Sequence, residues 1–312
     1  MIKHVKISLI LLLLSLPLLI FGIFKNNKQM QIQSRGNYFF EQTRNNNDLN
    51  KIVIQNKDNT VTMIKKDDLW RIKEANYYFA DFGKINTLVD KLYNTVVYRA
   101  DKFNDDNSKI FENETVIYTY DSNNIIIDKV SIAPRSENNK YHYAKLNDNN
   151  LLYQITGNLS FSSYFMDWIQ MPIVSFSFNE VKGIRTDNYE AFRNINDREL
   201  KSVENNKENP YLRRFISNLW NLTAETIVFH TNFNHDKYIK VMNFSVETFD
   251  NILFDFDVYS DGEEFWINIK PTADKLISKL ANKQLEENKI LYDGWFFKIN
   301  KDIGISITNF MF

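Results

Sequence analysis

Short runs of apolar and β-branched residues, separated by turns rich in Asn and Asp, recur along this chain from residue 51 onward. Runs of this kind are typical of antiparallel strands that are joined by hairpins. Helical periodicity interrupts them at few places, the first being a stripe of apolar residues at three-and-four spacing after Asp81. The pattern therefore predicts an α+β fold rather than an alternating parallel α/β sheet.

The predicted elements form successive groups, each a β-meander followed by a helix. Strands are predicted at 52–54, 60–65, 69–72, 116–120, 125–132, 141–146, 151–155, 181–185, 191–195, 200–203, 239–246, 252–259 and 265–269. Helices are predicted after Asp81, after Pro210 and from Pro271 to about Glu287, and a closing hairpin from 294–299 and 304–308. Because this order repeats, we predict a first α+β domain over 51–172 and a second over 173–312.

Large apolar residues mark the predicted core. The helix after Asp81, its predicted N-cap, carries a core face made of Phe82, Ile85, Leu88, Val89, Leu92, Tyr93 and Val96. The helix after Pro210 carries a stripe made of Leu212, Phe215, Ile216, Leu219 and Trp220. All five tryptophans are predicted to plug the core rather than to form a stacking platform: Trp70, Trp168, Trp220, Trp266 and Trp295.

Residues 7–24 form a run of 18 residues without a charge. At about 1.5 Å rise per residue, such a helix spans about 27 Å, close to the thickness of a bilayer core. No small-x-small cleavage site follows, so we prefer an N-terminal transmembrane helix (residues 1–24) to a cleaved signal or a buried helix. The polar, Asn-rich residues 25–50 are predicted to be a tether.

Positive residues flank both ends of this run, so the positive-inside rule does not decide its orientation. Long domains are translocated largely regardless of their charge, and a short N-terminal tail is easily retained in the cytoplasm. We therefore expect a single-pass protein of the bacterial inner membrane whose large domain faces the periplasm.

The composition argues against several kinds of chemistry. Zero cysteines exclude disulfides, thiolate metal sites, iron–sulfur clusters and a cysteine nucleophile. The 38 Lys and Arg residues balance 39 Asp and Glu residues, so no net field attracts nucleic acid. Phosphate-cradling loops need several close glycines, and the chain has only eight in all. We therefore predict no cofactor and no nucleic-acid partner.

The histidines lack the spacing of a metal site. His230 and His235 are five residues apart in a polar stretch, which places them on no common helix face, and we expect both to be exposed in a loop. His142 lies on a strand between Tyr141 and Tyr143, and these two neighbours are predicted to face the core. No metal ligand is assigned.

The densest acidic cluster also favours an ordinary polar surface. A calcium loop needs oxygen ligands at alternate positions followed by Gly, but Tyr259 interrupts the series and Gly262 falls two residues late. Strand alternation places Asp255 and Asp257 on a solvent face, opposite to Phe254, Phe256 and Val258. The remaining acidic residues of this cluster are Asp261, Glu263 and Glu264.

Two further patterns are weak. Gly83-Lys84 resembles the end of a phosphate loop, but Tyr78 stands where that loop needs its first glycine. Arg213-Arg214, with Lys207 nearby, is predicted to be a solvated face of the second helix. No serine lies in a Gly-x-Ser-x-Gly elbow, and no catalytic residue is assigned.

Residues 51–103 combine a KIVI strand, a TVTMIKK strand, a strand with Trp70, a helix start at Ala80-Asp81 and a leucine stripe. With the N-terminal run, this order resembles the domain of unknown function 4340 family over most of residues 50–300. The resemblance implies a single-span bacterial envelope protein, often encoded beside ABC-2-type, gliding-motility-like transporter subunits. It implies an accessory role at such a transporter and no active site.

We therefore expect a non-enzymatic, membrane-anchored extracytoplasmic accessory or interaction protein that associates with an ABC-type permease and ATPase. The alternatives are an envelope ligand-binding protein or enzyme with a cleft between the repeat units, and a structural protein without a transporter. An interaction protein is expected to expose an apolar or aromatic patch. An enzyme is expected to hold residues of strongly shifted pKa in a cleft.

Overall fold

A computed structural model of the protein describes residues 36–46, 48–134, 141–147, 149–174, 176–220, 222–273 and 277–310. The predicted transmembrane helix lies outside these residues. No helix within the described residues is long and apolar enough to cross a membrane.

The described chain folds into two compact units, each built on an antiparallel sheet with few helices, so the α+β prediction is confirmed. The first unit contains the described residues up to Arg71 together with Ala80–Trp168. The second contains Ile72–Phe79 and the described residues from Ile169 onward. The chain therefore enters the second unit twice.

Among its described residues, the first unit has two α-helices and eight strands. The helices are α1 (Glu41–Asn45) and α2 (Phe82–Asn94). The strands are β1 (Lys51–Gln55), β2 (Thr60–Lys66), β3 (Leu69–Ile72, whose last residue belongs to the second unit), β5 (Val97–Lys102), β6 (Thr115–Tyr120), β7 (Ile126–Ile132), β8 (His142–Leu146) and β9 (Leu151–Ile155), while β4 (Tyr78–Phe79) belongs to the second unit. Their order is β3-β2-β1-β6-β7-β8-β9-β5, and both predicted hairpins, β6–β7 and β8–β9, are present.

Inward residues of neighbouring strands lie in register in this sheet. Ile54 of β1 is opposite Val61 of β2 on one side and opposite Ile117 of β6 on the other, and all three are fully buried. Burying a β-branched side chain from each strand gives the sheet one apolar face, which fixes the register, since a shift by one residue would expose the whole set.

Helix α2 begins as predicted, because the side chain of Asp81 accepts a hydrogen bond from the N–H of Lys84 at 3.0 Å. Ile85, Leu88 and Leu92 are buried as expected. Phe82 is 71% exposed, so its assignment to the core face is wrong. The core contact starts one turn later, because Phe82 is the first helical residue.

Part of the segment predicted to be a tether is built into the first unit. Phe39 and Phe40 are buried, and Thr43 of α1 donates its N–H and its hydroxyl to Oδ2 of the buried Asp128 at 2.9 and 2.6 Å. Thr119 Oγ1 lies 2.7 Å from the Thr43 hydroxyl. Because Asp128 would be costly to bury without partners, these bonds tie α1 to the sheet.

The second unit carries a sheet in the order β12-β11-β10-β14-β15-β16-β17-β13. Its strands are β10 (Val181–Arg185), β11 (Glu190–Phe192), β12 (Lys201–Ser202), β13 (Ala224–Phe229), β14 (Ile239–Thr248), β15 (Leu253–Ser260), β16 (Phe265–Thr272) and β17 (Trp295–Ile299). Its helices are α3 (Pro210–Trp220), α4 (Lys279–Tyr292) and α5 (Lys301–Thr308).

Residues 72–79, the first segment of the second unit along the chain, are bound to it through the side chains of Tyr78 and Asn76. Tyr78 is buried with its ring edge-on to Trp295 at 5.0 Å, and its hydroxyl donates to the carbonyl of Leu291 at 3.1 Å. Burial raises the pKa of Tyr78 above its usual range. The side chain of Asn76 donates to the carbonyl of Ile227 at 2.8 Å. Residues 72–79 are therefore an integral part of the second core.

Two predicted elements of the second unit are wrong. The helix expected from Pro271 begins at Lys279, because Phe254 and Leu253 of β15 pair with Pro271 and Thr272 and extend β16. Residues 304–308 form part of helix α5 instead of a hairpin strand. The side chain of Asn300 caps this helix by accepting from the N–H of Asp302.

The tryptophans are divided between core and surface. Trp168, Trp266 and Trp295 are buried as predicted. Trp70 is only half-buried, because the fully buried residue of its strand is Ile72, and Trp220 is 44% exposed at the end of α3. The predicted burial of Trp220 is therefore wrong. Leu212, Phe215, Ile216 and Leu219 of α3 are buried as expected.

Candidate interaction surface

Strand β14 extends beyond β10, the neighbour on one of its sides. β10 pairs with β14 only from Val181 opposite Thr248 to Arg185 opposite Ser245. On the other side, β15 pairs along β14 from Ile239 to Glu247. Within the described residues, 239–243 therefore have no strand along their outer side. We call residues 239–243 the open edge.

The open edge exposes aliphatic side chains. Ile239 is 66% exposed and Val241 is 44% exposed. The pairing with β15 shifts between Lys240 and Met242, so Val241 lies in a bulge. Bulges and lysines are common devices that protect an edge against pairing with another chain. Both devices are present here, and Ile239 and Val241 remain exposed on either side of Lys240.

Local sequence fixes the position of this edge from both ends. Tyr238, which directly precedes the edge, is buried. After the edge, Phe244 is buried opposite Phe256, and the two rings stack at 4.6 Å. The chain therefore leaves the buried Tyr238 and returns to the core six residues later, at Phe244. The open edge is held in extended form, and no strand of the described part of the chain lies on its outer side.

The charge of Lys240 is compensated on the same face of the sheet. Its ammonium lies 2.8 Å from Oδ1 of Asp257, and this hydrogen bond raises the pKa of Lys240. Asp257 also lies 3.6 Å from Lys270, and Asp255 accepts a hydrogen bond from Ser245 at 2.5 Å. The solvent-side placement predicted for Asp255 and Asp257 is confirmed, with Phe254, Phe256 and Val258 buried on the other face.

The rest of the acidic cluster belongs to a network of ion pairs. Glu264 accepts from Lys298, from Tyr238 and from Lys237, and these bonds lower its pKa to about 2. Asp261 accepts the N–H groups of Glu264 and Glu263, and its pKa is also lowered to about 2. The shifted pKa values therefore reflect a structural network at a hairpin.

This network lies beside a cluster of aromatic rings on the same side of the sheet. Phe233 stacks on Phe296 at 3.9 Å and also contacts Tyr238, Trp266 and Tyr259. The loop 230–238 thereby covers part of the sheet and positions the start of β14. Sequence analysis missed this role of the loop, although Phe233 and Tyr238 are visible as aromatic residues within a polar stretch.

The histidines are distributed over both units. His230 and His235 are exposed, as predicted. His142 is 2% exposed and lies in the core of the first unit, while Tyr141 and Tyr143 are half-buried, so the predicted facing of this strand is wrong. Among the described residues, no group of three His, Cys, Asp or Glu side chains could hold a metal ion.

The remaining predicted positions are on surfaces. Arg213 pairs with Glu199 at 3.0 Å and lies 4.3 Å above the ring of Phe178. Gly83 and Lys84 lie in the first turn of α2, where Asp81 occupies the cap. A negatively charged cap disfavours a phosphate at this position.

Comparison with known proteins finds no relative. No family model matches the chain, and no curated protein or solved structure matches it significantly.

Proposed function

We propose that this chain is a membrane-anchored extracytoplasmic interaction protein that associates with an ABC-type permease and ATPase and has no catalytic role of its own. The observation that carries the proposal is the open edge, an extended segment with two exposed aliphatic residues, paired with β15 on one side and, within the described residues, with no strand on its outer side. Such edges bind a strand of another chain by backbone hydrogen bonds, while side chains at alternate positions supply specificity.

The partner strand is expected to continue the line of β10 beside β14. It would pair with 239–243 and place apolar side chains against Ile239 and Val241. Since Lys240 is neutralised by Asp257, its charge does not oppose an uncharged partner strand. We assign this strand to the extracytoplasmic part of the permease, because the resemblance of residues 50–300 to the domain of unknown function 4340 family implies such a neighbour.

The N-terminal run gives the membrane location. In this proposal, residues 1–24 are the transmembrane helix. The α+β units that follow repeat one arrangement, a β-meander followed by a helix. An anchor confines the interaction protein and its partner to one membrane, which raises their effective concentration. Deleting residues 1–24 while exporting the rest of the chain on a cleavable signal is therefore expected to weaken the association with the permease and ATPase.

The test is co-purification in mild detergent, followed by mass spectrometry. The wild-type chain is expected to bring down one ABC permease and its ATPase. Ile239→Lys places a charge on the open edge and is expected to abolish the association, because charged edge residues oppose strand pairing. The control is Ile195→Lys, the same substitution at a residue that is 74% exposed away from the open edge.

Recovery of the same permease and ATPase with Ile239→Lys and with Ile195→Lys would contradict the binding of the partner at the open edge. Recovery of neither subunit with the wild-type chain would contradict the transporter association itself.

A further inference from the structure

A groove of about 400 Å³ crosses the surface of the first unit between helix α2 and residues 160–168. One wall is a single helical stripe, Lys84, Thr87, Leu88 and Lys91, at spacings of three and four. The volume of the groove falls within the range of pockets that bind a small organic molecule.

The other wall is a loop fixed by its own hydrogen bonds. The indole N–H of Trp168 donates to the carbonyl of Ser162 at 2.9 Å, and the hydroxyl of Ser162 donates to the carboxylate of Asp167 at 2.5 Å. The ring centres of Phe161 and Trp168 are 6.3 Å apart. Together with the buried Leu88, these two rings give the groove an apolar lining.

The charges of the groove are unevenly compensated. Lys84 donates to the carbonyl of Asp167 at 2.7 Å and lies 3.9 Å from Asp81. Lys91 has no carboxylate within ion-pair distance among the described residues, and its ammonium lies 5.4 Å from the centre of the Phe161 ring. One end of the groove therefore presents a cation beside an aromatic face.

We propose that this groove binds a small amphipathic anion. The apolar body lies against Leu88, Phe161 and Trp168, and the anionic group accepts a hydrogen bond from Lys91. A hydrogen bond between an ammonium and an anionic oxygen is about twice as strong as a neutral one, so the charge directs the orientation of the ligand. This inference goes beyond the proposed function, because it uses the first unit and needs no protein partner.

Isothermal titration calorimetry on the full-length protein in nonionic detergent tests the inference, with naphthalene-2-sulfonate as the probe. The neutral comparison is naphthalene-2-sulfonamide, which has nearly the same shape. We expect saturable binding of one sulfonate and a Kd at least tenfold weaker for the sulfonamide. A titration into detergent alone supplies the background heat.

Three variants separate the contributions. Lys91→Gln is expected to weaken sulfonate binding at least tenfold and to leave sulfonamide binding unchanged, whereas Phe161→Leu is expected to weaken both. Lys109→Gln, at an exposed lysine of the same unit, is the control and should change neither. Near-ultraviolet circular dichroism of each variant confirms that the fold is retained.

Absence of saturable sulfonate binding, or equal binding by wild type and folded Lys91→Gln, would overturn the inference. Co-purification of the permease and ATPase with Lys91→Gln is expected to be normal in either case. The two proposals therefore fail separately.

Discussion

Truncating Phe233 to Ala is expected to destabilise the second unit, because this ring is the centre of the aromatic cluster that packs on β15, β16 and β17. The side chain is 7% exposed and contacts Phe296, Tyr238, Trp266 and Tyr259. Its removal takes away the contacts that hold the loop 230–238 against β16 and β17.

The magnitude follows from the burial of Phe233 and from the freedom of its surroundings. Phe→Ala at buried sites costs about 3–5 kcal/mol, and the cost is smaller where neighbouring groups can move into the cavity. Phe233 lies in a loop rather than in a paired strand, so we expect a loss of about 3 kcal/mol in the free energy of unfolding. For a unit of this size, the melting temperature should fall by about 6–12 °C.

Thermal unfolding followed by circular dichroism and by tryptophan fluorescence measures this effect. The control is Tyr211→Ala, which removes a large ring that is 71% exposed on α3 of the same unit. Exposed substitutions of this kind change stability by about 0.5 kcal/mol or less. Equal melting temperatures for the Phe233→Ala and Tyr211→Ala variants would refute the central role of Phe233.

Three further outcomes are expected for the second unit. Arg193→Lys should lower the free energy of unfolding in urea by about 2–3 kcal/mol, because the buried guanidinium donates to several backbone carbonyls that one ammonium cannot satisfy. Gly304→Ala should cost about 1–3 kcal/mol, since a Cβ would overlap the Phe265 ring, and its melting temperature measures this. The pKa of Glu264 is lowered to about 2, chiefly by Lys298, so its contribution is present above about pH 4.5 and is lost as the pH falls to 2. Glu264→Gln should therefore flatten the dependence of the melting temperature between pH 4.5 and 2.

The parts of the fold that sequence analysis predicted correctly depend on local chemistry. The cap at Asp81 and the burial of alternate residues in β15 require only neighbours within a few positions along the chain. The hairpins at β6–β7 and β8–β9 are local in the same sense.

The wrong predictions involve contacts between residues that are distant in sequence. The alternation of Ile and Ser in residues 304–308 is compatible with a strand, yet these residues are helical, and Gly304 lies directly against the ring of Phe265 in β16. Side-chain size does not reveal depth either, since Trp220 and Phe82 end on the surface.

The open edge could not be predicted from the sequence for the same reason. Residues 239–243 alternate like any strand, and their exposure depends on β10 ending at Arg185, about 50 residues earlier in the chain. The burial of His142 could not be predicted either, because the neighbouring tyrosines do not indicate which face of the strand points inward.

Site-specific photo-crosslinking in cells measures whether the open edge contacts a transporter subunit. A photoreactive side chain at Val241 is expected to give one discrete adduct, identified by mass spectrometry as the ABC permease. The same group at Ile195, also exposed in the second unit, is expected to give none. No permease adduct from Val241, or the same adducts from both positions, would contradict the contact between the open edge and the permease.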